Sequence, residues 1–189
     1  NNRHLKKVMV EWFIMRKETI LTYGHISFWN IIKISSLSYL FYNVYYFNDD
    51  ISDWNTSNII NMENMFRGAM NFNQPLNNWN VSNVQFMNGM FYNAKSFNQP
   101  LNKWITSNVL YMDNMFYNTD EFNQNLNSWN INKLIYTYHI FYNAFSFDKK
   151  NIPNWKFNNY ITSQTLFNTN INNNYNNNYI SYLTYKINN

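Results

Sequence analysis

The chain has no cysteine, which excludes disulfides, Cys-ligated zinc and thiol chemistry while leaving the compartment open. It has only three glycines, Gly24, Gly68 and Gly89, too scattered to form a phosphate-cradling loop. Charge is also scarce. Asp, Glu, Lys and Arg make up 13% of the residues, against the usual quarter, so acids, bases and nucleophiles for an active site are few. No apolar run approaches the ~20 residues of a membrane-spanning helix, because Lys33 and frequent Asn, Ser and Tyr interrupt the longest stretches. Residues 8–15 follow Lys6 and Lys7 in the manner of a short signal-peptide core, but Glu11 breaks them and no small-residue cleavage site follows. A chain that opens on Asn1 is expected to be a fragment or a processed product.

What is present is aromatic and amide-rich. Hydrophobic residues make up 46% of the chain, yet the mean hydropathy is −0.53, because Phe, Tyr, Trp and Met carry the apolar share and Asn dominates the remainder. An aromatic content of 21% is enough for a large core and argues against disorder. The net charge is +4. Much of it sits at Arg3, Lys6, Lys7, Arg16 and Lys17 and thins out afterwards, unlike the dense basic stripe of a nucleic-acid binder.

The chain repeats. Phe41, Phe66, Phe91, Phe116 and Phe141 are spaced by 25 residues, as are Phe47, Phe72, Phe97, Phe122 and Phe147, and Trp29, Trp54, Trp79, Trp104 and Trp129. Trp155 comes one residue late, which implies an insertion around residues 149–151. Within the fullest unit, Trp79-x-Val81 alternates and the position two after each Trp is often β-forming (Thr56, Val81, Thr106, Ile131), which predicts a short strand. From Val84 the apolar residues recur every three positions (Val84, Met87, Met90), which predicts one or two helical turns ending near Ala94. Asn and Gln-Pro then turn the chain back. The expected class is therefore α/β: a right-handed, leucine-rich-repeat-like solenoid with a short parallel strand and a short helical turn per 25-residue coil, each aromatic packing on its equivalent one repeat along.

The pattern W-N-x-S-N-V-x-x-M-x-x-M-F-x-x-A-x-x-F-N-Q-P-L-N, clearest over 54–76, 79–101 and 104–126, resembles the repeat of BspA-like leucine-rich-repeat surface proteins, found also in mycoplasma-type lipoproteins and some large-DNA-virus proteins. It departs from the pattern at 133–139, where Tyr136, His139 or their neighbours stand at the Met positions, and at both ends. The resemblance implies a non-enzymatic protein for surface display, adhesion or binding to a protein or glycan, at the cell surface or outside the cell. The alternative is an intracellular scaffold or host-interaction module, in the host cytoplasm if viral.

The organisation read from the sequence is a capping helix and lead-in at 1–28, about five coils over 29–167, and an Asn/Tyr-rich cap or tail at 168–189, where apolar residues recur at 179–187. Leu5, Val8, Met9, Trp12 and Met15 lie at helical spacing over 4–18, as an end cap requires. A membrane-surface helix is the sharper reading of the same segment.

Candidate sites are sparse. His4, His25 and His139 stand in unrelated contexts with no second ligand at metal spacing. Asp49, Asp50 and Asp53 cluster on a turn, but the adjacent repeats lack acids there, so a solvated turn is favoured over a calcium site. Ser57, Ser82 and Ser107 repeat without a partner base and are expected to be helix N-caps, with Asn132 serving in the next unit. Asn48, Asn73, Asn98, Asn123 and Asp148 form a second ladder, expected to satisfy backbone groups between coils. Asn55 and Asn80 head glycosylation sequons, which an Asn-rich chain produces by accident. No cofactor is implied, and a monomer is expected. The candidate working face is the strip flanking each inward Trp: Asp53, Asn55, Asn78, Asn80, Lys103, Ile105, Ser128 and Asn130, continued by Asn154 and Lys156. It is polar, amide-rich and nearly uncharged, suited to hydrogen bonding with a protein or carbohydrate surface.

Overall fold

The computed structural model describes residues 1–135, 137–156 and 163–167. The C-terminal segment 168–189, read above as a cap or tail, lies outside these residues. Helix α1 (Asn2–Ile14) starts where the Asn1 side chain accepts the His4 amide, and it buries Leu5, Val8, Met9 and Trp12, one stripe at helical spacing. The chain breaks at Met15 and restarts as α2 (Arg16–Tyr23), which ends at Gly24 with φ 75°. Helix α1 lies across the first coil. Trp12 meets the Trp29 ring edge-on at 5.5 Å, and Phe13 meets Phe41 and Phe47 at 6.4 and 6.1 Å. Asp49 latches it by accepting the Trp12 indole N–H at 3.0 Å and pairing with Arg16, whose guanidinium covers the Trp12 ring at 4.4 Å.

From residue 29 to 156 the chain is a stack of 25-residue coils. The ring of Phe91 lies 5.5 Å from those of Phe66 and Phe116, nearly parallel to each, and 4.0 Å from Phe97 of its own coil. Phe97 in turn stacks between Phe72 and Phe122. The result is a double Phe ladder through the core. A third ladder is built from Trp: Trp54 and Trp79 stack at 6.5 Å, Trp104 and Trp129 at 5.9 Å, and Trp129 and Trp155 at 6.4 Å. Each indole N–H of this ladder donates to a carbonyl of the preceding coil, such as Trp104 to Leu76 at 2.9 Å, so the buried indoles keep their donors satisfied. The extra residue before Trp155 is taken up by a 3₁₀ turn at Lys149–Asn151.

The α/β class is overturned. Among the described residues there is no named strand, only single parallel bridges Ser36–Asn61, Asn61–Phe86 and Phe86–Tyr111. Helices α1 and α2 precede the coils, and the short α3 (Ser163–Phe167) lays Phe167 on Phe141 at 5.4 Å as the next rung of the Phe ladder. Residues 84–94, expected as helix, are consecutive tight turns. Each carries one backbone bond over three residues, as from the Met90 amide to Met87 and from Tyr92 to Gly89. The alternate amides leave the coil altogether: Met87, Gly89, Phe91 and Asn93 donate to Tyr111, Asp113, Met115 and Tyr117 of the next coil. What stops the helix is a pair of left-handed residues per coil, four apart: Asn64 and Gly68, Gly89 and Asn93, Asn114 and Asn118. A spacing of three is common to helices and to serial turns, and only φ separates them. The expected strand after each Trp fails for a different reason. Side chains alternate in and out there, but the coils are joined by side-chain bonds, as from Asn83 Nδ2 to the Ser57 carbonyl at 2.8 Å and Thr56 Oγ1 to the Asn80 carbonyl at 3.0 Å. A ladder made by side chains does not need extended backbone.

These turns account for one part of the Asn content. With three glycines in the chain, Asn supplies most of the left-handed positions, being the residue other than Gly that tolerates them best. The Asn48–Asn73–Asn98–Asn123–Asp148 ladder does what its register implied: each Asn Oδ1 accepts the amide N–H 25 residues on, at 2.9–3.0 Å. The Ser residues do not cap helices. Asn55 and Asn80 accept the amides of Ser57 and Ser82 in two-residue side-chain turns, and Asn130 accepts that of Asn132.

Gly89 is required twice over, since its φ is +56° and a Cβ there would collide with Asn64 Oδ1 of the preceding coil. Gly89→Ala is therefore expected to cost about 2 kcal/mol. Urea denaturation checks this, and a midpoint unchanged from wild type would refute the turn geometry.

Candidate functional site

Two surfaces run the length of the stack. The first is the strip read from the sequence. Asp53, Asn55, Asn78, Asn80, Lys103, Ile105, Ser128 and Asn130 are all exposed and flank the Trp ladder, with Asn154 and Lys156 in line. Much of its bonding capacity is already used. The Oδ1 atoms of Asn55 and Asn80 each accept both the amide and the hydroxyl of the Ser two residues on. Lys103 Nζ donates to Asn78 Oδ1 at 3.1 Å, and the Ser128 hydroxyl donates to the Asn102 carbonyl at 2.7 Å. Ile105 stands where the other coils carry the turn-forming Asn.

The second surface was not singled out from the sequence. It follows the serial turns. The residue after each ladder Phe points outward, and down the stack these residues are Tyr42, Arg67, Tyr92, Tyr117 and Tyr142. The Arg67 guanidinium lies between two rings, 4.0 Å from that of Tyr92 and 6.0 Å from that of Tyr42. Tyr92 stacks on Tyr117 at 4.5 Å, and Tyr117 on Tyr142 at 4.6 Å. Desolvation, with the flanking Tyr92 and Tyr142, pushes the Tyr117 phenol above its ordinary pKa. A shorter aromatic pair, Phe86 on Tyr111 at 5.4 Å, runs beside the parallel bridges.

In chain order between these two columns lies a buried polar one, Glu63, Asn88 and Asp113. Asn88 Nδ2 donates to Asp113 Oδ2 at 2.9 Å, and the Tyr138 amide donates to Asp113 Oδ1 at 3.0 Å. Burial outweighs these bonds and pushes the Asp113 carboxyl up to about 6.

The signal for the Tyr column was available, as five Phe-Tyr or Phe-Arg pairs 25 residues apart. Reading the segment as helix hid it, because the three-residue spacing of Val84, Met87 and Met90 fixes the inward positions and leaves open which residue beside each ladder Phe faces outward. In the fifth coil the Met positions are taken by buried Thr137 and Ile140, while His139 holds a left-handed position.

The acidic turn is occupied locally. Asp49 holds the cap, Asp50 Oδ1 accepts the Ser52 amide at 2.9 Å, and Asp53 is exposed. His25 Nδ1 sits 2.9 Å from the Ser27 hydroxyl, and His4 packs edge-on against Tyr23. Among the described residues no three His, Asp or Glu side chains converge as a metal site would require, and no helix is long and apolar enough to cross a membrane.

A family model described as "Mycoplasma protein of unknown function, DUF285" matches residues 8–120 and again 87–181. No curated protein and no solved structure matches the chain.

Proposed function

Because the chain belongs to that DUF285 family, we propose that it is a non-catalytic repeat module that binds a protein partner along the Tyr42–Arg67–Tyr92–Tyr117–Tyr142 column. The observation that carries this is the column itself. Five planar side chains are partly exposed, locked by stacking and spaced by one coil, with a guanidinium held between two rings. Tyr and Arg are the residues most enriched at binding hot spots, and side chains already held in place lose little freedom on binding. The inner rings cover one another's faces and turn only their edges outward, which suits hydrogen bonding and edge contacts with a protein more than face-on stacking of a sugar ring. The repeat motif supports the finer reading of kinship with BspA-like surface proteins, and with it display or adhesion outside the cell. The Trp-side strip from Asp53 to Asn130 is the second candidate face.

Binding of the labelled 189-residue chain to cultured animal cells, read by flow cytometry, tests the proposal. Replacing Arg67, Tyr92 and Tyr117 together with Ser is expected to weaken binding by about thirtyfold or more, as loss of a hot spot does. The matching variant at Asn78, Asn80, Lys103 and Ser128 should bind as wild type. The reverse result moves the working face to the Trp side, and no binding by the wild type refutes adhesion to these cells.

A further inference from the structure

We infer that the two-helix cap is a docking surface for an anionic lipid bilayer. A helix that closes a repeat stack should present a polar back, and that of α1 mixes cations with exposed apolar side chains. Opposite its buried stripe runs a second one at i, i+4, i+7 and i+11: Arg3, Lys7, Val10 and Ile14. Val10 is 56% exposed and Ile14 74%. Helix α2 adds Leu21 at 88%, and the turn into the first coil adds Phe28 at 81%. Of the sixteen large apolar side chains exposed among the described residues, eight fall within the first 28 residues, so the apolar surface is concentrated on the cap rather than scattered along the array. The Tyr23 ring at the end of α2 comes back against His4 at the start of α1, 6.0 Å away, which makes the pair one unit. Beside it opens a cleft of about 390 Å³ whose lining includes Leu5, Val8, Tyr23, Phe28 and Ile32.

Charge decides the occupant. The cap carries Arg3, Lys6, Lys7, Arg16 and Lys17, all exposed, against only Glu11 and Glu18. Glu11 faces Lys7 at 3.8 Å, and Arg16 is paired with Asp49 of the array. Lys is depleted from the cores of protein–protein interfaces. Lys interleaved with exposed Leu, Ile and Phe on a short helical surface is what insertion at an anionic headgroup layer uses, the aliphatic side chains entering the acyl boundary and the ammonium groups meeting phosphate. At 13 residues α1 lies on such a surface and does not span it.

Flotation of the whole chain with phosphatidylcholine vesicles, with and without phosphatidylglycerol, tests this. The chain is expected to float with the phosphatidylglycerol vesicles at low salt, and roughly tenfold less with phosphatidylcholine alone or at high salt. Ile14→Glu with Leu21→Glu should lower flotation by roughly tenfold or more while the melting temperature stays put, and Lys6→Glu with Lys7→Glu should do the same. If the paired apolar variant loses its fold, Leu21→Ser alone replaces it, since that side chain touches little. Phe145→Glu, at an exposed apolar position far along the array from the cap, should leave flotation unchanged. The proposal is overturned if the wild type does not float, if the cap variants float as well as wild type, or if both vesicle types bind equally. It is equally overturned if the wild type forms a dimer in solution that the apolar variant loses while vesicles are ignored, since the cap then serves a second copy of the chain.

Discussion

Trp104→Ala is expected to lower the unfolding free energy by roughly 3–5 kcal/mol, read as a drop in the urea midpoint at unchanged slope. The indole is 2% exposed and stacks on Trp129 at 5.9 Å, so its removal empties a site that the rigid ladders on either side cannot close. It also strips the Leu76 carbonyl of its indole donor, now at 2.9 Å, and leaves that carbonyl only the Trp79 amide at 3.0 Å. Ser82→Ala is the contrast. Its hydroxyl donates to Asn80 Oδ1 at 2.7 Å in an exposed turn that the Ser82 amide also closes at 3.0 Å. Its loss should stay within ~0.5 kcal/mol. Equal, small effects at the two positions would contradict a core built from stacked coils.

The second large effect is on pH dependence. The Asp113 carboxyl has a folded pKa of about 6 against an ordinary 3.8, because burial disfavours its charge. Between these values the folded chain holds a proton that the unfolded chain has released. Stability therefore falls as pH rises from about 4 to about 6 and levels off above, the opposite of a salt-bridged carboxylate. The window corresponds to about 3 kcal/mol. Asp113→Asn removes the titrating group and keeps one acceptor for Asn88 Nδ2 and the Tyr138 amide. Its stability should therefore vary less with pH than that of the wild type, and the two curves should diverge steadily between pH 4 and 6. Parallel curves across that range would mean the carboxyl is not held as described.

The period and the ladders were legible because they depend only on register. Stacking one coil on the next requires that Phe66 meet Phe91 and Trp104 meet Trp129, and the sequence shows that spacing directly. The Asn48-to-Asp148 ladder was legible for the same reason: an amide that recurs at a turn has a backbone group one coil away to satisfy. The Asp49–Asp50–Asp53 turn was legible only as polar. That Asp49 reaches back to Trp12 and Arg16 depends on where α1 lies, across a separation that no local pattern encodes.

By itself, then, the sequence determined the 25-residue stack, its inward aromatic positions and its amide ladders, because translation by one coil places like on like whatever the backbone does between. What only the tertiary structure decided was the backbone. Met87 and Met90 sit three apart in a helix or in serial turns alike, and the choice is made by φ at Gly89 and Asn93, which is positive only because alternate amides find carbonyls in the next coil. That choice sends Tyr92, Tyr117 and Tyr142 outward in one column and buries Asp113 beside Asn88. The Tyr column and the buried Asp113–Asn88 pair both come from contacts between coils, and a single unit read alone holds no trace of them.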